Sequence, residues 1–221
     1  MPFSTRFIDG LETGLPLGKI LCVGRNYAEH AKELNNPVPA SPLLFIKPST
    51  SAVELEDPIE RQFSHGDVHF ETEIALLIGK RMSQVSADEA MSGVIGVGLA
   101  LDLTLRDVQS RLKEKGHPWE RAKAFDGACP LSRFVKVEGG DVDWEAVTFH
   151  LDINGERQQS GKSSDMLFTL PALLEEMART FTLEPGDVIL TGTPSGVGQL
   201  PRGAALDLSL SLGLKVGTQT R

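Results

Sequence analysis

The sequence predicts an α+β fold, mainly β, in which a curved and partly closed sheet carries a few separate helices. Many short segments have the pattern of strands and only a few have the 3.6-residue period of helices. The two periods do not alternate as a regular βαβ series. The chain has 221 residues, of which 40% are hydrophobic and 24% charged. That length and composition suit one large domain with a buried core.

Eight segments are predicted to be strands, because each is apolar or alternates apolar with polar residues. The Asn154-Gly155 pair between two of them favours a type I′ turn and therefore a hairpin. In the last segment four leucines occupy alternate positions, so one face of that strand is expected to be buried. The predicted strands cover residues 19–23, 43–47, 68–78, 94–102, 148–153, 156–159, 188–191 and 205–212.

Four segments are predicted to be helices, at 27–34, from residue 86, at 104–115 and at 167–181. Ser86 and Glu89 match a capping box, with Ser at the N-cap and Glu three residues later. Gly116 supplies the glycine that often ends a helix. Pro171 is compatible with a helix because it falls in the first turn. The three prolines within residues 35–42 indicate a loop after the first helix.

Charge and composition exclude several classes of function. Lysine and arginine total 22 and aspartate and glutamate 30, a net charge of −8, so we expect no nucleic-acid partner. No apolar run approaches the ~18 residues of a membrane span, and the N-terminus lacks the apolar stretch of a secretory signal. We therefore expect no membrane partner. Cys22 and Cys129 are too few for a disulfide scaffold, which favours reduced thiols in a cytoplasmic protein.

Three carboxylates form the most informative pattern. On a strand, His69, Glu71 and Glu73 share one face, and the two glutamates lie ~6.6 Å apart at a rise of ~3.3 Å per residue. Asp102 stands where an apolar strand ends and a helix is predicted to begin. Three oxygen ligands favour Mg²⁺, Mn²⁺ or Ca²⁺ over zinc. The alternatives are a solvated strand face for the glutamates and a helix N-cap for Asp102.

Two further patterns could carry chemistry. His30 and Glu33 are neighbours on one helix face, where the carboxylate could make the imidazole a general base. The alternative is a surface ion pair. Lys123 lies between apolar residues and could stabilise charge, although such a lysine often packs its stem and extends its ammonium to water. The Gly-rich segment 191–198 could present N–H groups to a carboxylate, or be an ordinary loop.

These segments, taken in order, resemble the fumarylacetoacetate hydrolase family, in its short single-domain branch. The resemblance covers nearly the whole chain from Lys19, so we expect one catalytic domain at 19–221 after an N-terminal extension at 1–18. Relatives usually carry two histidines before the first glutamate, whereas this chain has His69-Phe70, and residue 70 should face away from the metal. The matching motifs are Gly24-Arg25-Asn26-Tyr27 with His30 and Glu33, Leu44-Phe45-Ile46-Lys47-Pro48, Glu71-x-Glu73, the block 101–109, Lys123, and Leu190-Thr191-Gly192-Thr193-Pro194.

The resemblance implies a homodimeric enzyme that uses Mg²⁺ or Mn²⁺ and is built on a mainly β, roll-like mixed sheet with a few peripheral helices. It implies that Glu71, Glu73 and Asp102 bind the metal. It further implies a water-activating pair on a mobile lid, His30 with Glu33, and an oxyanion-stabilising ammonium on Lys123. The substrate-binding residues that it suggests are Arg25, Lys47, Arg106, Gln109 and Thr193.

The resemblance also implies a small 2-oxo acid substrate, whose enolate a metal can stabilise. Our first hypothesis is hydrolysis of a C–C bond in a 2,4-dioxo acid of the acylpyruvate or fumarylpyruvate type. The alternative is an oxaloacetate keto–enol tautomerase or decarboxylase, or an isomerase of the 2-hydroxymuconate type. A catalytically silent carboxylate-binding protein is a third hypothesis, and the presence of His30, Glu33 and Lys123 together argues against it.

Overall fold

A computed structural model describes residues 3–34, 37–60, 66–137 and 142–221 of the chain. Its strands, in chain order, are β1 (Ser4–Arg6), β2 (Glu12–Pro16), β3 (Ile20–Gly24), β4 (Leu43–Lys47), β5 (Ala52–Glu54), β6 (Val68–Phe70), β7 (Thr72–Ile78), β8 (Val94–Leu101), β9 (Thr104–Leu105), β10 (Cys129–Leu131), β11 (Val135–Lys136), β12 (Thr148–Ile153), β13 (Glu156–Lys162), β14 (Val188–Leu190), β15 (Gly198–Gln199), β16 (Ala205–Leu210) and β17 (Leu214–Gln219). The α-helices are α1 (Ala28–Glu33), α2 (Ala87–Met91), α3 (Arg106–Glu114), α4 (Glu120–Lys123) and α5 (Leu170–Thr180).

An eight-stranded mixed sheet forms the centre of the molecule, in the order β4-β3-β14-β7-β8-β10-β5, with β11 paired to β8. β14 runs parallel to β3 and antiparallel to β7. Side chains alternate between the two faces of these strands, as the pleat requires. On β7, Ile74, Leu76 and Ile78 pack into one apolar cluster, and Ala75 and Leu77 pack into a second. The central strands are therefore mostly apolar, because both of their faces are buried, and Thr72 and Glu73 at the start of β7 are the polar exceptions on that strand.

Three smaller sheets accompany the central sheet in the described residues. Their strand orders are β1-β2, β13-β12-β16-β17 and β15-β6-β9. Phe149 and Leu151 on β12 pack into the larger cluster with Leu206 and Leu208 on β16, which confirms the predicted half-buried leucine strand. The curled arrangement of strands with peripheral helices confirms the predicted fold class.

Several predicted boundaries of strands and helices are wrong, and the observed strand pairing explains why. The predicted strand 68–78 breaks at Glu71: β6 pairs with β15 and β9, whereas β7 joins the central sheet. Residues 104–105 form β9 before the helix begins at Arg106. Leu105 is therefore the N-cap of α3, and the capping role considered for Asp102 is wrong. Ser86 does occupy the N-cap of α2, but its side chain makes no capping hydrogen bond.

The predicted hairpin turn has the backbone that its sequence requires. Asn154 and Gly155 both have positive φ, 52° and 81°, as a type I′ turn needs. The turn pairs Ile153 with Glu156, and one register shift interrupts the ladder farther along, between Leu151 and Asp152.

Within the described residues, no helix is long and apolar enough to cross a membrane. The division of the chain at residues 18 and 19 stays a prediction.

Candidate metal and substrate site

Three buried carboxylates meet where β7 and β8 lie side by side. Glu71 occupies the break before β7, Glu73 lies on β7, and Asp102 follows the last residue of β8. The backbone N–H of Asp102 donates to the carbonyl of Glu71 at 2.8 Å, which joins the two chain segments at the site. One carboxylate oxygen from each residue lies within 4.8 Å of the others. The three side chains are exposed by 5% or less, so they do not form a solvated strand face.

Cations compensate two of these carboxylates. Lys123 Nζ lies 2.8 Å from Glu71 Oε2 and 2.6 Å from Asp102 Oδ2, and Arg106 Nη2 donates to Glu71 Oε1. Burial alone would raise the pKa of Glu71, but the charges of Lys123 and Arg106 hold it below its ordinary value. Burial likewise opposes the charge of Lys123, yet Asp102 and Glu71 raise its pKa above its ordinary value. Glu71 and Lys123 are therefore charged at neutral pH.

Glu73 is compensated less completely. It accepts a hydrogen bond from the N–H of Gly192 at 2.6 Å, and the charge of Lys123 lowers its pKa without offsetting the effect of burial. Burial and the neighbouring charges of Asp102 and Glu71 raise the pKa of this carboxyl. An incompletely compensated carboxylate beside two others fits a divalent cation, which would offset the charge that burial penalises. These oxygen donors are those that Mg²⁺ and Mn²⁺ prefer.

Helix α1 covers the carboxylates and contributes the predicted His–Glu pair. His30 is 5% exposed, and its Nδ1 lies 3.3 Å from Glu33 Oε2. The other oxygen of Glu33 accepts from the N–H of Gly196 at 3.0 Å. His30 is thus a buried residue rather than part of a surface pair, and Glu33 connects α1 to the loop that follows β14.

These groups surround a cavity of about 40 Å³, which has room for about three water molecules. Arg106 Nη1 donates to Gln109 Oε1 at 2.8 Å on one side of it. Such charged walls suit a small anionic ligand. The predicted site residues that line the cavity are Arg25, His30, Glu71, Glu73, Asp102, Arg106, Gln109, Lys123 and Thr193.

The aromatic rings of Phe45 and Trp119 line this cavity and also a larger neighbouring one. Their centroids are 6.0 Å apart in an edge-to-face arrangement, and Lys123 Nζ lies 5.2 Å from the centroid of Phe45. The neighbouring cavity measures about 400 Å³ and is lined by parts of β4 and of residues 116–120. The two rings and Lys123 therefore stand between a charged cavity and a more spacious one.

Lys47 lies outside the lining of the cavity, and its role in substrate binding stays a prediction. Its side chain is fully buried, and Nζ lies 2.7 Å from Asp102 Oδ1. The ammonium also donates to the carbonyls of Lys123 and Ala128, the latter at 3.1 Å. Since every one of these partners belongs to the protein, Lys47 holds Asp102 and the backbone near Lys123 in place.

Sequence reasoning missed Gln159 on β13, which is 1% exposed. Its Oε1 accepts from the N–H of Thr72, the residue between the two glutamates, at 3.0 Å. Its Nε2 donates to Thr193 Oγ1 at 2.8 Å and to the carbonyl of Pro194 at 3.1 Å. The sequence around Gln159 is a polar hairpin strand with no signal for burial, so the residue could not have been selected in advance.

Asn26, in the motif Gly24-Arg25-Asn26-Tyr27, also joins separate chain segments beside the site. Its amide donates to the carbonyl of Thr191 at 2.9 Å and accepts from the N–H of Phe168 at 2.8 Å. A Cβ on Gly192, where φ is +96°, would lie 2.6 Å from the Cβ of Asn26. Only glycine fits at that position, which brings the loop after β14 against the segment that leads into α1.

Comparisons with known proteins agree with this geometry. The profile of the family described as fumarylacetoacetate (FAA) hydrolase C-terminal matches residues 19–214. The oxaloacetate tautomerase YcgM of Escherichia coli is 45% identical over 194 residues, 88% of this chain and 89% of that protein. The mitochondrial oxaloacetate tautomerase FAHD1 of Mus musculus is 42% identical over 201 residues, 89% of this chain and 90% of that protein.

A solved structure supplies a third comparison. The fumarylpyruvate hydrolase of Pseudomonas aeruginosa, crystallised with Mn²⁺ and pyruvate, superposes with a TM-score of 0.90 at 29% identity. The match covers 99% of this chain and 95% of that one. The same fold is thus found in a protein that was crystallised with Mn²⁺ and pyruvate.

Proposed function

The chain belongs to the fumarylacetoacetate hydrolase family and is an enzyme of that family, and on this premise we propose that it is a metal-dependent oxaloacetate keto–enol tautomerase. The observation that carries the proposal is the buried triad Glu71, Glu73 and Asp102, in which burial and the neighbouring carboxylates raise the pKa of Glu73. The tautomerase relatives are 42% and 45% identical to this chain, whereas the fumarylpyruvate hydrolase is 29% identical. This difference supports our alternative hypothesis over hydrolysis of a 2,4-dioxo acid.

The triad would hold Mg²⁺ or Mn²⁺, which when bound supplies a Lewis acid for the carboxylate and 2-oxo group of the substrate. The charges of Arg106 and Lys123 would hold the carboxylates of oxaloacetate, a small dianion that suits the charged walls of the cavity. Arg25, Gln109 and Thr193 line the same cavity and would contact the remaining oxygens.

Tautomerisation moves one proton between C3 of oxaloacetate and the oxygen on C2. Glu33 is bonded to Nδ1 of His30, which leaves Nε2 as the nitrogen that would exchange a proton with substrate. The ammonium of Lys123 would stabilise negative charge on the substrate oxygen during that transfer. His30 would thus transfer the proton, and Lys123 would stabilise the charge that develops. Glu33 would orient the imidazole.

The test is to follow ketonisation of enol-oxaloacetate by the loss of enol absorbance, with Mg²⁺, with Mn²⁺ and with chelator. We expect metal-dependent catalysis that greatly exceeds cleavage of acetylpyruvate by the same preparation. Carbon dioxide release would be measured alongside, because a decarboxylase would produce it in step with oxaloacetate loss. Cleavage of acetylpyruvate at a higher kcat/KM than ketonisation would contradict the proposal.

Hydrolysis of an acylpyruvate is the second candidate, and one observation favours it. The cavity of about 400 Å³ behind Phe45 and Trp119 offers space for an acyl tail, which oxaloacetate does not have. A Trp119→Ala variant would join the two spaces. If hydrolysis is the main activity, this variant should cleave long-chain acylpyruvates better relative to acetylpyruvate than the parent does.

The homodimer also remains a proposal, and the edge of the central sheet supports it. β4 lies at the end of the strand order, and its residues from Leu43 to Ile46 are only half-buried. An apolar edge strand is usually covered in the native assembly. Light scattering after size-exclusion chromatography would measure the mass in solution. The location in the cell and the absence of nucleic-acid and membrane partners stay predictions.

A further inference from the structure

The geometry points to Gln159 as a positioning residue that turns the hydroxyl hydrogen of Thr193 into the cavity, toward a substrate carboxylate. This inference rests on the proposed function, since it concerns how the same cavity recognises a metal-bound 2-oxo acid. Gln159 lies on β13, outside every motif by which the family was identified. It acts through its neighbours, because it does not itself line the cavity.

The orientation of the Gln159 amide is determined by two backbone groups. The N–H of Thr72 can only donate, so the atom 3.0 Å from it must be the amide oxygen. The carbonyl of Pro194 can only accept, so the atom 3.1 Å from it must be the amide nitrogen. Either contact alone would settle which end is which, and the two agree.

This orientation determines the role of the Thr193 hydroxyl. Because Gln159 Nε2 is a donor, Thr193 Oγ1 accepts the 2.8 Å hydrogen bond between them. The hydroxyl must then donate its own hydrogen to a different atom. Among the described residues, no acceptor forms a hydrogen bond with that hydrogen. Thr193 lines the cavity and is 3% exposed. An anionic oxygen in the cavity is the acceptor that this buried donor lacks.

A β-bulge brings Gln159 to this position. β12 pairs Leu151 with Gln159 but Asp152 with Arg157, so Gln158 is the extra residue. Leu151 is buried, and residues directly opposite on paired strands point to the same face. Without the bulge Gln158 would face inward and Gln159 would face solvent. β-Bulges often re-aim a side chain beside an active site.

The bulge also contacts the loop that carries Thr193. A Cβ on Gly196 would collide with the carbonyl oxygen of Gln158, and Gly196 has a φ of +94°. Gln158 and Gln159 therefore contact the loop at residues 193, 194 and 196. These contacts hold Thr193 against the amide of Gln159.

Three substitutions separate this role from simple packing. Gln159→Glu has the same shape and keeps an acceptor for Thr72, but its carboxylate would accept the hydroxyl hydrogen of Thr193 and turn it away from the cavity. Thr193→Val removes the hydroxyl, and Thr193→Ser keeps it. Oxalate, an analogue of the carboxylate and oxo pair, would be titrated calorimetrically into protein saturated with Mn²⁺. Saturation keeps changes in metal affinity out of the oxalate Kd.

We expect Gln159→Glu and Thr193→Val each to raise the oxalate Kd about 10- to 100-fold, the effect of one hydrogen bond to an ion. Thr193→Ser should bind like the parent. In the Thr193→Val background, Gln159→Glu should cause little further loss, because both changes remove the same donor. With enol-oxaloacetate, KM should rise more than kcat falls.

The inference is overturned if Gln159→Glu binds oxalate like the parent, or if the losses add in the double variant. Gln159→Met provides a second measurement should the glutamate variant fold poorly, and unchanged oxalate binding by it would count equally against the inference. A parent protein that binds Mn²⁺ but no oxalate would contradict the proposed function as well as this inference. Parent-like oxalate binding in the variants alone would leave the proposed function intact.

Discussion

Glu71 and Glu73 are separated by one residue, yet their electrostatic surroundings differ. Glu71 is paired with Lys123 and Arg106, whereas Glu73 has the N–H of Gly192 as its polar partner among the described hydrogen bonds. Removing the partner of a buried charge lowers the free energy of unfolding. A buried charge that has no partner lowers this free energy even before any substitution. The two residues should therefore respond differently to neutralisation.

We expect Glu71→Gln to destabilise the metal-free protein by about 3 kcal/mol, because it leaves part of the Lys123 and Arg106 charge unpaired. Glu73→Gln should leave the metal-free stability equal or higher, since it removes an incompletely compensated carboxylate. Both should lose most of the stabilisation by excess Mn²⁺, which is about 2.7 kcal/mol at 100 times Kd. Urea unfolding with chelator and with Mn²⁺ measures both effects. Equal behaviour of the two variants without metal would contradict this account.

Lys123 contributes to a second prediction at the same scale. Lys123→Met should lower kcat about 10²-fold, the loss of one preorganised donor to a developing oxyanion. Its ammonium neutralises the Glu71 and Asp102 carboxylates that a metal would share, so Mn²⁺ affinity should stay the same or increase. Steady-state kinetics and Mn²⁺ titration separate the two effects. An unchanged kcat would leave Lys123 with a packing role only.

Among structural elements, α1 depends on its surroundings for its stability. It has six residues, too few for an isolated helix to persist in water. The bond from Gly196 N–H to Glu33 holds its C-terminal turn to the loop after β14. The side chain that orients His30 therefore also fixes the helix over the cavity.

Two substitutions at Glu33 distinguish these tasks. Glu33→Gln keeps an acceptor for Gly196 but loses the charge beside His30, whereas Glu33→Ala loses both. We expect either change to lower acylpyruvate cleavage about 10²- to 10⁴-fold, the usual contribution of a general base, and to lower tautomerisation less. Amide exchange across α1 should accelerate in Glu33→Ala only. Parent-like exchange in Glu33→Ala would show that Gly196 does not anchor the helix.

The strands differ in whether the sequence alone predicts them. Long apolar or alternating segments such as β8 and β16 were predictable because their own residues determine which faces are buried. β9, β10 and β15 have two or three residues each, and their pairing depends on distant partners, so no local pattern reveals them. The same holds for the site. Glu71, Glu73 and Asp102 lie in recognisable motifs, but Gln159 reaches the loop only through a bulge that forms when β12 and β13 pair.

At the scale of the whole molecule, a partly buried ion pair connects the starts of the parallel strands β3 and β14. Asp187 is 2% exposed and accepts from the backbone N–H groups of Lys19 and Glu184 at 3.0 and 2.7 Å. It also pairs with the ammonium of Lys19. These contacts fix the starts of β3 and β14, the strands that precede α1 and the Thr193 loop.

We expect Asp187→Ala to lower the free energy of unfolding by about 3–5 kcal/mol, since it leaves buried donors unpaired. Mn²⁺ affinity should be unchanged, because Asp187 lies outside the cavity lining. Arg157→Ala, which breaks the exposed pair with Asp152, is the matched control and should cost less than about 1 kcal/mol. Urea denaturation compares the two. A loss of similar size in both variants would argue against a structural role for Asp187.

The two bonds of Glu33 have a kinetic consequence. One oxygen of Glu33 anchors α1 and the other orients His30. If α1 acts as the mobile lid that the resemblance implies, closure and activation of the base would be a single event, and product would leave only after the anchor breaks. We then expect reopening to limit the rate of turnover, as in many enzymes with mobile covers. The solvent deuterium isotope effect on kcat should accordingly lie near unity in the parent and increase once Glu33 is replaced by alanine.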